Sequence, residues 1–224
     1  MAGLHYRGVL FDFNGTLLYD SDKHKRAWQL FLGERLGVTI TEDEVRKNCL
    51  GQSNFEILPR YFGASLTREE LTQLALEKEA VYRRLCLAEE ESFQLVEGAV
   101  AYFEHLKELN IPFTIATGSE ISNVRFYFEK FELGKWFAFD RVVFDDGSMP
   151  GKPAPDVYLR AADKLGLSAT ACLVFEDSRS GVQAAKNANV YAVVQLLEKP
   201  GDPLYEGTAL TVQDFTDVAV FDAL

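Results

Sequence analysis

The most constraining feature of this 224-residue chain is a series of short, continuous apolar runs, each stopped by polar or turn residues. They are Val9-Leu10-Phe11, Phe113-Thr114-Ile115-Ala116, Val142-Val143-Phe144, Cys172-Leu173-Val174-Phe175 and Val190 to Val194. Runs that are apolar throughout, not at every second position, suit strands buried on both faces, as in a parallel sheet. Between them stand stretches of helical period. These are Ala99 to Leu109 (Val100, Phe103, Leu106 and Leu109 on one side), Ile121 to Phe131, Val157 to Leu165 and Ser178 to Asn187. Strands alternating with helices of this length imply βαβ crossovers, so the expected fold class is α/β, a doubly wound, Rossmann-like parallel sheet.

The segment from Asp20 to Ser92 breaks that rhythm. It offers no buried strand but four helical patterns: Lys23 to Leu36, Glu42 to Cys49, Phe55 to Tyr61 and Thr67 to Ala88. Thr41 with Glu44, and Thr67 with Glu70, are capping-box pairs that mark two helix starts. The expectation is a sheet domain built from 1–18 and 93–224, with a small helical domain, 19–92, inserted after the first strand and lying over the sheet edge.

Composition narrows the partners. A hydrophobic fraction of 47% excludes wholesale disorder. Lys+Arg 23 against Asp+Glu 34 gives a net charge of -11, which leaves no basic stripe for nucleic acid. No apolar run approaches the ~20 residues of a membrane span. Met1 leads straight into a strand-like run, with no signal-peptide pattern. Cys49, Cys86 and Cys172 are far apart and odd in number, which suits reduced thiols. The expectation is a cytoplasmic monomer or homodimer with no nucleic-acid or membrane partner.

The chemistry gathers where the strands stop. The first runs into Asp12-Phe13-Asn14-Gly15-Thr16, the second into Thr117-Gly118-Ser119, and the fourth into Glu176-Asp177-Ser178. A parallel sheet places these ends on one carboxyl edge, where open α/β folds bind ligands. Gly151-Lys152-Pro153-Ala154-Pro155, before a helix starting near Asp156, can reach the same edge. Three carboxylates packed together repel unless a cation sits among them, and oxygen-only ligands favour a hard ion such as magnesium. With magnesium and Lys152 the site can hold a phosphoryl group, with Thr117 and backbone N–H groups donating to it. Asp12 can then attack phosphorus to give an aspartyl-phosphate.

Asp12-Phe13-Asn14-Gly15-Thr16-Leu17, Thr117-Gly118-Ser119, Gly151-Lys152-Pro153 and Glu176-Asp177 resemble, in order, the four motifs of the haloacid dehalogenase superfamily. The insertion resembles the α-helical cap of the branch that contains β-phosphoglucomutase and sugar-phosphate phosphatases. The resemblance implies a magnesium-dependent phosphohydrolase acting on a small phosphorylated metabolite. It implies Asp12 as nucleophile and metal ligand, a backbone carbonyl of Asn14 as metal ligand, and Asp177 as ligand with Glu176 ligating or supporting. Thr117, with Gly15 and Gly118, would bind the phosphoryl oxygens, and Lys152 would orient the nucleophile. In the cap, His24, Gln52, Ser53 and Asn54 are candidates for substrate contact.

The sequence departs from the family pattern at Asn14, where phosphatases of the family carry an aspartate that serves as general acid and then base. An amide cannot exchange a proton at useful pH, and such catalysis is worth ~10²–10⁴ in rate. The expectation is therefore a slow or specialised phosphatase. The alternatives are a catalytically weakened phosphate-binding or regulatory protein and a β-phosphoglucomutase-like phosphotransferase. The last is disfavoured because Asn54 stands where mutases carry a phosphate-clamping arginine.

Overall fold

The structure, a computed structural model, describes residues 6–49 and 52–222. It divides into two compact units, 1–19 with 94–224 and 20–93. The first holds a six-stranded sheet in the order β3-β2-β1-β4-β5-β6, with every pairing parallel. The strands are β1 (Gly8–Phe11), β2 (Phe113–Glu120), β3 (Val143–Asp145), β4 (Cys172–Glu176), β5 (Ala192–Leu196) and β6 (Leu210–Val212). β1 is central because all four of its residues are apolar or glycine and buried on both faces.

Successive residues of a strand point to opposite faces, and β1 shows what each face is made of. Leu10 joins a cluster with Val174, Val157, Tyr158, Ala161, Ala184 and Ala185. Phe11 points the other way, stacking on Phe175 at 5.2 Å and meeting the edges of Tyr102, Phe103, Phe113 and Phe137.

The helical unit comprises α1 (Ser21–Leu36), α2 (Glu42–Asn48), α3 (Asn54–Phe62) and α4 (Arg68–Ala88). The sheet unit adds α5 (Ala99–Glu108), α6 (Ile121–Lys130), α7 (Asp156–Lys164), α8 (Arg179–Asn187) and α9 (Val218–Asp222). Thr67 and Glu70 form the full reciprocal cap at α4. At α2 only half is made, with Thr41 accepting from the Glu44 N–H. α3 begins with a pairing that the sequence reading missed, Glu56 accepting from both the N–H and the hydroxyl of Ser53.

Three expectations shift. The buried face of α5 is Ala99, Tyr102, Phe103 and Leu106, while Val100 and Leu109 are exposed, so the apolar stripe is rotated and tyrosine supplies part of it. The fifth strand starts at Ala192, two residues later than its apolar run. β2 continues through Thr117-Gly118-Ser119, with an irregular register against β3 between Ala116 and Glu120. β6 and α9 carried no expectation. Among the described residues no helix is long and apolar enough to cross a membrane, and Cys49, Cys86 and Cys172 are buried free thiols.

Candidate active site

The sheet unit brings its four polar clusters together. Asp12 follows β1 directly, tied to β4 by its N–H donating to the Phe175 carbonyl at 3.0 Å, and is only 6% exposed. Lys152, in the loop before α7, reaches across to it. Its Nζ lies 2.5 Å from Asp12 Oδ1 and 2.5 Å from Glu176 Oε1. Burial opposes the ammonium charge, but the Asp12 and Glu176 carboxylates outweigh it and hold Lys152 well above its ordinary pKa.

Glu176, the last residue of β4, is fully buried and bonded on both oxygens. Oε1 accepts from Lys152 and from the Tyr158 hydroxyl at 3.1 Å. Oε2 accepts from the Ser178 N–H at 2.6 Å and the Ser178 hydroxyl at 3.1 Å. Ser178 also caps α8 by accepting from the Gly181 N–H.

Asp177 stands beside Glu176, its Oδ1 accepting from the Thr16 hydroxyl at 3.3 Å. Burial first, then the charges of Glu176 and Asp12, push its carboxyl well above the usual range, and Lys152 and Thr16 only partly counter them. Ligand oxygens of Asp12, Glu176 and Asp177 all lie within 4.8 Å of one another. One ammonium against three clustered carboxylates leaves the group short of positive charge. An all-oxygen set of this kind fits a hard divalent cation such as Mg²⁺.

The turn that carries Asn14 is tightly built. The Gly15 N–H donates to the Leu18 carbonyl at 2.7 Å, and the Leu18 N–H to the Phe13 carbonyl at 3.0 Å. Gly15 has φ +82°, and a Cβ there would lie 2.2 Å from Asp177 Oδ2, so backbone conformation and space both demand glycine. The Asn14 amide is held at both ends. Its Oδ1 accepts from the Ser119 hydroxyl at 2.5 Å, and its Nδ2 donates to the Tyr127 hydroxyl at 2.9 Å. Phe13 stacks on Tyr127 at 4.4 Å. Thr117, buried in β2, accepts from the Ser119 N–H at 3.0 Å, and Gly118 beside it is exposed with open space around it.

His24, Gln52, Ser53 and Asn54 lie in the helical unit, each with partners inside that unit. His24 Nδ1 is 3.1 Å from Lys78 Nζ and its Nε2 is 3.3 Å from Asp20 Oδ2, with the ring stacked on Tyr82 at 3.9 Å. Asn54 Nδ2 donates to the buried Glu79 at 2.8 Å, Gln52 Oε1 accepts from Arg60, and Ser53 is bonded to Glu56.

Sequence reasoning placed Ser178 at a strand end without giving it a role and did not single out Tyr127 or Tyr158. For the tyrosines a signal existed: each lies on the buried face of its helix, with Val124 and Asn123 or with Val157 and Ala161. A buried phenol usually finds a polar partner, but which one is visible only in the fold.

A family model described as haloacid dehalogenase-like hydrolase matches residues 6–189. Fructose-1-phosphate phosphatase YqaB of Escherichia coli (strain K12) is 32% identical over 193 residues, 86% of this chain and 98% of that protein. The phosphorylated carbohydrates phosphatase of Thermotoga maritima is 29% identical, with 91% of this chain and 92% of that one covered. Among solved structures, a HAD hydrolase of family IA, variant 3, from Entamoeba histolytica is 35% identical with a TM-score of 0.87, covering 96% of both chains.

Proposed function

The chain belongs to the haloacid dehalogenase-like hydrolases, and from that premise we propose that it is a magnesium-dependent phosphatase of small phosphorylated sugars, working through an aspartyl-phosphate on Asp12. The observation that carries this is the placement of Lys152 Nζ at 2.5 Å from both Asp12 and Glu176, with Asp177 beside them. Two relatives that match most of the chain are named for hydrolysis of sugar or carbohydrate phosphates.

Each residue then has a chemical task. Asp12 supplies the attacking carboxylate oxygen, forming a bond to phosphorus as the bond to the leaving alcohol breaks. Water later releases inorganic phosphate and restores Asp12. Lys152 orients Asp12 and offsets charge on the phosphoryl oxygens. Thr117, with backbone N–H groups near Gly15 and Gly118, holds those oxygens. Asp12, Asp177 and the Asn14 carbonyl would hold Mg²⁺, which when bound screens the ester from the carboxylates. Glu176, with four donors already on its two oxygens, serves mainly to hold Lys152. The helical unit is read as the cap, and the three buried thiols suit a cytoplasmic setting.

A second reading, a phosphate-binding protein with weak turnover, is favoured by one observation: the side chain at position 14 is an amide engaged by Ser119 and Tyr127. The test is hydrolysis of a panel of sugar phosphates with and without Mg²⁺, by the wild type and by Asp12→Asn. Turnover should require the metal and fall at least ~10³-fold in the variant. Metal-independent turnover, or turnover that survives Asp12→Asn, would overturn the phosphatase reading.

A further inference from the structure

Two carboxylates compete for one ammonium. Lys152 Nζ stands at the same 2.5 Å from Asp12 and from Glu176. The two are not equivalent attractors, because Glu176 is fully buried while Asp12 keeps some exposure. Charges attract more strongly where water is absent, so an unmoderated Glu176 would draw the ammonium toward itself. Tyr158 intervenes twice. Its hydroxyl donates to the same Oε1 that Lys152 contacts, at 3.1 Å, and the centroid of its ring lies 5.0 Å from Nζ. Tyr158 is itself fully buried, so its hydroxyl has the Glu176 carboxylate and not water as its acceptor.

We propose that Tyr158 is a positioning residue that sets how the Lys152 ammonium is shared between Asp12 and Glu176. The hydroxyl satisfies part of the Glu176 charge and weakens its hold. The ring face supports the ammonium in the shared position through a cation–π contact. For catalysis this rests on the phosphatase reading above, since a shared ammonium is what keeps Asp12 oriented for attack.

The two contributions separate in two variants. Tyr158→Phe keeps the ring and loses the hydroxyl, whereas Tyr158→Leu loses both. With Tyr158→Phe, kcat should fall about ten-fold while KM stays within about two-fold, the size of one hydrogen bond to a charged group. Tyr158→Leu should lower kcat further. Crystal structures of the wild type and of Tyr158→Phe should show Nζ leaving hydrogen-bond distance of Asp12 while remaining on Glu176. An unchanged kcat in Tyr158→Phe, or an Nζ still shared between both carboxylates, overturns the proposal. Should the wild type lack turnover, or Lys152→Ala match it, the phosphatase reading fails instead, and the position of Nζ alone then decides the role of Tyr158.

Discussion

At the scale of single residues, Asn14 is where the proposed phosphatase chemistry is most directly tested. Its amide is read from both sides, with Ser119 donating to the carbonyl and Tyr127 accepting from the NH₂. An aspartate in its place would make Tyr127 reverse and donate, so two hydroxyls would favour the ionised carboxylate. Such a group serves better as the base that activates water than as the acid that protonates the leaving oxygen. Asn14→Asp should therefore raise kcat about 10²-fold on aryl phosphates, whose leaving group needs no proton. Steady-state rates on an aryl and an alkyl phosphate would check this, the gain on the alkyl ester being smaller. No gain on either would favour the phosphate-binding reading.

At the scale of elements, α8 shows how closely the helices are fitted to the site. Gly181 lies in its first turn, and a Cβ there would sit 1.6 Å from Glu176 Oε1. In an exposed helix Gly→Ala stabilises by roughly 0.5–1 kcal/mol, but here the methyl group meets a buried carboxylate bonded on both oxygens. Gly181→Ala should lower the melting temperature and turnover together, measurable by calorimetry and kinetics. Helices α1 to α8 and strands β1 to β5 were legible in the sequence because each is long or apolar enough to show its period, as in Lys23 to Leu36 and Cys172 to Phe175. β6 was not, since Leu210-Thr211-Val212 is only three residues long, two of them half-buried, and its register comes from pairing with β5. The polar ends of the strands were legible because the topology places them on one edge. The tyrosines that hold Asn14 and Glu176 were not, because their rings read as ordinary core and only the fold reveals where each hydroxyl points.

At the scale of the whole molecule, the two units bury charge differently. The sheet unit gathers carboxylates around one lysine, whereas the helical unit encloses the ion pair Lys78–Glu79 at 2.9 Å, both residues being almost fully buried. Burial would raise the Glu79 pKa, but Lys78 and His24, with hydrogen bonds from Lys78 and Asn54, bring it from 4.5 down to about 2. A carboxyl lowered by folding contributes its full stability above the unfolded value. That contribution is lost as pH falls from about 4.5 toward 2. Trp28 lies 5.0 Å under the Lys78 ammonium and Trp136 belongs to the sheet unit, so an acid titration of Trp136→Phe follows the helical unit by fluorescence. Glu79→Gln should abolish that acid transition and cost about 3–5 kcal/mol at neutral pH, because it leaves Lys78 buried without its counter-charge.

The central place of β1 has a consequence for biosynthesis. β1 leaves the ribosome before β2 and β4, which flank it in the finished sheet, and its Phe11 stacks on Phe175. Asp12 therefore cannot gain its nearest neighbours until β4 has been made, and the apolar β1 must wait unpaired while the intervening helices form. Non-local pairing of this kind is slow and exposes hydrophobic chain in the interval. The helical unit, continuous in sequence from 20 to 93, can assemble during that wait, so newly made chains should depend on holding chaperones chiefly through β1.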